Sequence, residues 1–154
     1  MEILGTGENR SQYRKKTEVT KFFGAILLQF LENKMEAYQK LKTYLPFAHL
    51  DENNSSDFVY QINRRKDSVK GIKELKLNRL ANWSALELTM IPTGMASIQS
   101  VSSKMACRLE MDINTVPEFP GPLPQDKIIQ IFEELVLSGK EIAAKGDLYA
   151  ENQS

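Results

Sequence analysis

Two charged residues in the middle of the chain have the spacing of a catalytic motif. Glu74-Leu75-Lys76 is the Glu-x-Lys arrangement with which a metal-dependent nuclease holds Mg²⁺ and activates water, and Asp57 or Asp67 is available as the upstream acid. The same three-residue pattern is common on exposed strands, where alternating charges keep one face in water. The sequence therefore favours a solvated strand here, with a metal-dependent nuclease or phosphodiesterase as the alternative function.

A second polar group follows the most regular alternation in the chain. Arg108, Glu110, Asp112 and Asn114 share one face of a predicted strand, and Glu110 and Asp112 are close enough to share a hard cation if Glu87 on a neighbouring strand helps. An antiparallel sheet with one wet face also needs such residues, because that face must stay hydrated. We therefore expect neither a metal site nor a cofactor.

Basic residues cluster between positions 64 and 79. The candidates for contact with a phosphate backbone are Arg64, Arg65, Lys70 and Lys73. A basic rim that docks an acidic protein partner explains them equally well, since the whole chain carries 20 basic and 20 acidic residues and no net charge. A nucleic-acid-binding accessory subunit is thus a further alternative.

The nucleophiles and metal ligands of common enzyme classes are scarce. The chain has one histidine, His49, and one cysteine, Cys107, on the apolar side of its strand. This composition predicts an inert, buried thiol in a reducing compartment and disfavours His-based catalysis. The apolar run at residues 22–31 is too short to cross a bilayer. We expect a cytoplasmic protein that does not bind membranes and is not an enzyme.

The last third of the chain predicts a strand, a hinge and a helix. Met105, Cys107, Leu109, Met111 and Ile113 alternate with polar residues, which is the pattern of a half-buried strand. That strand begins either within residues 95–101 or at position 104. Four prolines within residues 116–124 then form a hinge, and an amphipathic helix runs from near position 124 to a glycine stop at 146.

The remaining segments complete an α+β prediction. Apolar residues at spacings of three and four predict one long helix over residues 17–44, and shorter alternations predict strands over 58–63, 72–77 and 83–91. Short connections favour an antiparallel four-stranded meander covered by the N-terminal and C-terminal helices, a two-layer sandwich. Residues 1–16 are a mobile arm, 17–146 one domain, and 147–154 a flexible tail.

Apolar surface is the positive indication of function. The long helix would overhang a meander of short strands, and one aromatic stands alone between prolines; overhanging apolar surface usually marks an interface. The candidate partner-binding residues are Phe22, Phe30, Tyr38 and Phe119. The leading hypothesis is a non-catalytic protein–protein interaction module: an adaptor, chaperone, immunity factor or subunit of a larger assembly, bound to a protein partner or to itself as a homo-oligomer.

Overall fold

The computed structural model describes residues 22–70, 72–90, 102–119 and 122–147, which form one antiparallel sheet with two helices on one of its faces. In chain order the elements are β1 (Phe22–Leu31), α1 (Lys34–Tyr44), β2 (Val59–Asn63), β3 (Lys66–Asp67), β4 (Lys76–Met90), β5 (Ser102–Thr115), a 3₁₀ turn (Gln125–Lys127) and α2 (Ile128–Lys145). The predicted α+β class is confirmed. The predicted mobile arm and the residues after position 147 lie outside the described part.

The sheet is not a four-stranded meander. The described part has five strands in the order β1-β5-β4-β2, and β3 pairs with β4 beside β2. The first strand therefore pairs with the last one, Phe22 opposite Asn114 and Leu31 opposite Met105, rather than with its neighbour in sequence. The meander prediction assumed that consecutive strands pair, which is the commoner arrangement.

The predicted long N-terminal helix is also wrong over about half of its described length. Residues 22–31 form β1, and helix begins only at Lys34, where the Asn33 side chain accepts a hydrogen bond from the Glu36 amide at 2.9 Å. An asparagine is a strong helix start signal, because it satisfies an amide that has no partner within the helix. The end at Tyr44, before Leu45 and Pro46, agrees with the prediction. Residues 17–21 lie outside the described part.

Two of the predicted strands, over residues 72–77 and 83–91, belong to a single strand in the structure. β4 runs without a break through the segment between residues 77 and 83, and it pairs with β5 from Leu77 opposite Thr115 to Met90 opposite Ser102. Leu75 and Leu77 are buried, as the alternation predicts. β5 starts at Ser102, and residues 91–101, which held one predicted start, lie outside the described part.

Odd-numbered residues of the three long strands face the helices and make the core. Their cross-strand rows include Phe23–Ile113–Arg79 and Ala25–Met111–Ala81. α1 contributes Ala37, Tyr38 and Leu41 to this core, and α2 contributes Ile131, Leu135 and Ile142. Phe132, on the same helix, is exposed.

A buried carboxylate joins the end of α2 to the other helix and to β2. Asp147 follows the helix, and its amide donates to the Tyr44 carbonyl at the end of α1. Its carboxylate accepts two hydrogen bonds from Arg64, at 3.1 and 2.9 Å, and one from the Tyr60 hydroxyl at 2.6 Å. The sequence prediction placed Asp147 at the start of a flexible tail, whereas the structure buries it.

Gly146 should tolerate substitution far less than Gly139. Gly146 has φ +70°, and a Cβ there would collide with backbone atoms of Tyr44. A Cβ on Gly139 would lie 2.6 Å from Cε1 of Phe23, a ring that can tilt aside. Urea denaturation should show a loss of about 3 kcal/mol in the free energy of unfolding for Gly146→Ala and about 1 kcal/mol for Gly139→Ala. Equal losses would contradict this backbone constraint.

The Tyr60 phenol should make stability fall at alkaline pH. Burial and then the hydrogen bond to Asp147 raise the pKa of Tyr60 to about 12, from 10.0. The unfolded chain therefore loses this proton first, and stability present below pH 10 disappears between 10 and about 12. Tyr60→Phe should be less stable than wild type below that window, and the difference should shrink across it in urea unfolding. A difference that stays constant from pH 10 to 12 would contradict this role of the Tyr60 proton.

Candidate functional site

β1 is an edge strand with an unusual composition. Within the described residues it pairs with β5 alone, so its other side presents backbone N–H and C=O groups without a strand partner. Its ten residues contain no charge, proline or bulky polar group except Gln29. Natural edge strands are usually short or protected by charge, because an open apolar edge pairs readily with another chain. β1 therefore has the character of an interface strand.

Large apolar side chains of β1 are exposed on both faces of the sheet. On the face away from the helices, which we call the open face, Ile26 is 57% exposed, Leu28 48% and Phe30 54%; these three residues are the β1 patch. On the helix face Leu27 is also exposed. Inward of the patch, Phe30 lies opposite Ala106, which is fully buried, and Ala106 lies opposite Leu86. Contiguous apolar surface of this kind marks an interaction site.

The other edge of the sheet lacks these features. β2 has five residues, and its open-face positions are Val59, Gln61 and Asn63. Gln61 accepts a hydrogen bond from Asn82, and Asn63 donates to Asn78. A short edge whose polar side chains are already engaged is a poor template for another strand. Of these two edges, β1 is the longer and the more apolar.

The four predicted partner-binding residues do not lie together. Phe30 belongs to the β1 patch, and Phe22 begins the same strand, with its side chain outside the description. Tyr38 is in the core, where its hydroxyl donates to the Ser55 carbonyl at 3.0 Å. Phe119 is half-buried in the hinge after β5. Of the described side chains among them, Phe30 contributes to the accessible apolar surface of the sheet.

The acidic candidates are distributed along the sheet rather than gathered. Glu110 is ion-paired with Arg108, and Asp112 accepts a hydrogen bond from Asn114 at 2.9 Å. Asp112 lies opposite Leu80 of β4. Lys76 is four residues before Leu80 on the same strand, which separates Lys76 from the level of Asp112 by roughly 13 Å. Glu74 is exposed in the turn before β4, with φ +66°. In the described ranges, no group of three or more His, Cys, Asp or Glu side chains could hold a metal ion.

The predicted nucleic-acid contacts are largely engaged within the molecule. Arg64 is held by Asp147, and Arg65 donates to Asn78 and pairs with Glu118. Lys73 is exposed and 3.9 Å from Glu74. Lys70 lines a shallow cleft between the β3 turn and α2 whose other charged lining residues are Lys66, Glu134, Lys140, Glu141 and Lys145. These basic residues do not form one continuous positive surface.

A cavity of about 220 Å³ lies between the helices and the sheet. Its walls include Leu41 and Tyr44 of α1, Ala143 of α2, Leu27 of β1, and Trp83 and Leu109 of the central strands. Cys107 also lines it, and its thiol donates to the Ala37 carbonyl at 3.1 Å. Burial raises the pKa of Cys107 to about 11, so the thiol is protonated at neutral pH and is a poor nucleophile.

Sequence reasoning missed both the open edge and the cavity. The edge carried a signal, because residues 22–31 are apolar at odd and even positions alike, which also fits a strand exposed or buried on both faces. Asn33 supplied a second signal, since it separates that run from the helix that follows. The cavity depends on how far α1 and α2 stand apart above Trp83, and no local pattern encodes that distance.

None of the helices in the described residues is long and apolar enough to cross a membrane. No protein-family model matches the chain, and neither the curated proteins nor the solved structures contain a significant match to it.

Proposed function

We propose that this chain is a non-catalytic protein-interaction module that binds a second copy of itself by pairing the outer edges of two β1 strands. The observation that carries the proposal is the ten-residue, uncharged edge of β1 with large apolar side chains exposed on both faces. Strand addition joins main-chain hydrogen bonds, which supply affinity, to side-chain contacts on each face, which supply specificity.

A second copy fits this edge because the strand is complementary to itself. In a two-fold antiparallel pair, residues opposite one another lie on the same face of the combined sheet. A two-fold axis at Leu28 places Leu28 opposite Leu28 and Ile26 of one copy opposite Phe30 of the other. Each residue of the β1 patch then contacts its counterpart across the new strand pair. No charge on β1 opposes this register.

The other two functions gain less support from the geometry. A metal-dependent nuclease needs several oxygen ligands around one point, and within the described residues Glu110 and Asp112 are engaged with Arg108 and Asn114. A nucleic-acid-binding surface needs available cations, and Arg64 and Arg65 are paired with acidic side chains. The open edge of β1 has no such internal partner among the described residues.

A charge at the proposed two-fold axis should separate the copies. Leu28→Lys places two like charges directly opposite each other, so analytical ultracentrifugation should show a dimer for wild type and a dissociation constant raised by about a hundredfold or more for the variant. Leu28→Asp should have the same effect. Mixing the lysine and aspartate variants should restore a dimer that contains one of each, because the opposed charges then attract.

Val59→Lys is the matched control for this experiment. Val59 is 61% exposed on the open face of β2, at the opposite edge of the sheet, so a lysine there should leave the dimer intact. Wild-type protein that stays monomeric at every concentration would contradict the proposal. Equal disruption by Val59→Lys would show that the interface is not at β1. Failure of the mixed Leu28→Lys and Leu28→Asp proteins to form a dimer would show the same.

A further inference from the structure

The cleft between the β3 turn and α2 contains more cations than its carboxylates neutralise. It has a volume of about 440 Å³, and we call it the lysine cleft. The charged side chains that line it, among the described residues, are Lys66, Lys70, Lys140, Lys145, Glu134 and Glu141. The whole chain carries 20 basic and 20 acidic residues, so this imbalance is local.

Both carboxylates of the cleft are already engaged. Glu134 is 3% exposed and accepts hydrogen bonds from the Ser68 hydroxyl at 2.7 Å and the Val69 amide at 3.0 Å. Glu141 is ion-paired at 3.0 Å with Arg79, a buried guanidinium that adds one more positive charge beside the cleft. Four lysines and Arg79 are thus matched by two carboxylates, which leaves a local excess of three positive charges.

Three of the lysines have no anionic partner in the described part of the chain. Lys66, Lys70 and Lys140 form no ion pair there. Lys145 lies 3.8 Å from the Glu141 carboxylate, which is closer to Arg79. An ammonium group is a compact charge with three N–H donors and is a common ligand of phosphate oxygens. Three such groups around one cleft attract an anion that carries several charges.

The backbone that carries these lysines is held in place by the fold. Lys66 lies on β3 opposite Leu77, and Lys140 belongs to α2. Lys70 follows the turn that Glu134 holds, and its own amide donates to the Ser68 hydroxyl at 3.3 Å. A preorganised backbone lowers the ordering cost of binding.

The uncharged lining residues limit what else can be recognised. They are Val69, Leu137 and Ser138, and the first two are 75% and 58% exposed. No described lining residue is aromatic, so the cleft has no ring on which a nucleobase can stack. Recognition therefore depends on the charged group of the ligand.

From these observations we infer that the lysine cleft binds a small oligophosphate, whose oxygens contact the ammonium groups of Lys66, Lys70 and Lys140. None of the described lining residues belongs to β1. The test of this site therefore does not depend on whether two copies of the chain pair at that edge.

A series of phosphates of increasing charge tests the inference. Calorimetric titrations at one ionic strength should show that inorganic triphosphate binds about tenfold or more tightly than inorganic phosphate, because each added charge meets a further ammonium group. Raising the salt concentration from about 0.1 to 1 M should weaken triphosphate binding, since exposed charges are then screened. Equal affinity for phosphate and triphosphate would overturn the inference, and so would the absence of saturable binding of triphosphate.

Two exposed helix lysines provide matched variants. Lys140 lines the cleft from α2, whereas Lys42 is exposed on α1 and does not line it. Lys140→Gln and Lys70→Gln should each weaken triphosphate binding by about fivefold or more, and Lys42→Gln should change it by about twofold at most. Equal weakening by Lys42→Gln would show a response to overall charge alone and would contradict a site in the cleft.

Two further probes distinguish the source of the phosphate. A nucleoside triphosphate should bind no more tightly than inorganic triphosphate, because the cleft offers its base no stacking partner. Tighter binding of the nucleotide would contradict recognition through charge alone. A single-stranded oligonucleotide that binds through Lys70 and Lys140 more tightly than triphosphate would replace this inference with a nucleic-acid surface.

Discussion

The pairing of β1 with β5 is the constraint from which the rest of the architecture follows. β5 takes β1 on one side and β4 on the other, so its odd-numbered residues lie at the centre of the helix-facing layer. Once β1 occupies that place, its remaining side has no strand partner among the described residues. The open edge, the β1 patch and the wall that Leu27 gives to the cavity all derive from this one long-range pairing.

The Asp147 carboxylate is the second point at which distant parts of the chain meet. It lies after the last helix, yet its partners are Arg64 and Tyr60 on and after β2, and its amide reaches α1 through Tyr44. A buried carboxylate is unfavourable unless it is fully hydrogen-bonded, and here a bidentate guanidinium and a phenol meet that need. Gly146 makes the turn possible, because its positive φ brings Asp147 back toward Tyr44.

The elements that local patterns encode were predictable, and those that depend on remote partners were not. The alternation from Met105 to Ile113 and the glycine stop at 146 correctly predicted β5 and the end of α2. Residues 22–31 are apolar at both helical and strand spacings, so the local pattern does not distinguish a helix from a strand. Pairing with β5, about eighty residues away, makes this segment a strand. Asp147 gave no local sign of burial, since a polar residue after a helix stop is typical of a tail. The spread of Glu74, Lys76, Glu110 and Asp112 along the sheet likewise depended on register.

The long separation between β1 and its partner has a consequence for biosynthesis. β1 leaves the ribosome before α1, β2, β3 and β4, and the β5 residues that pair with it follow only after roughly 70 to 90 more residues. At typical elongation rates this interval is on the order of ten seconds. During that time an uncharged, ten-residue apolar segment lacks its strand partner β5, which is the condition under which nascent chains associate wrongly. The segment that we propose for recognition is therefore also exposed to wrong association during synthesis.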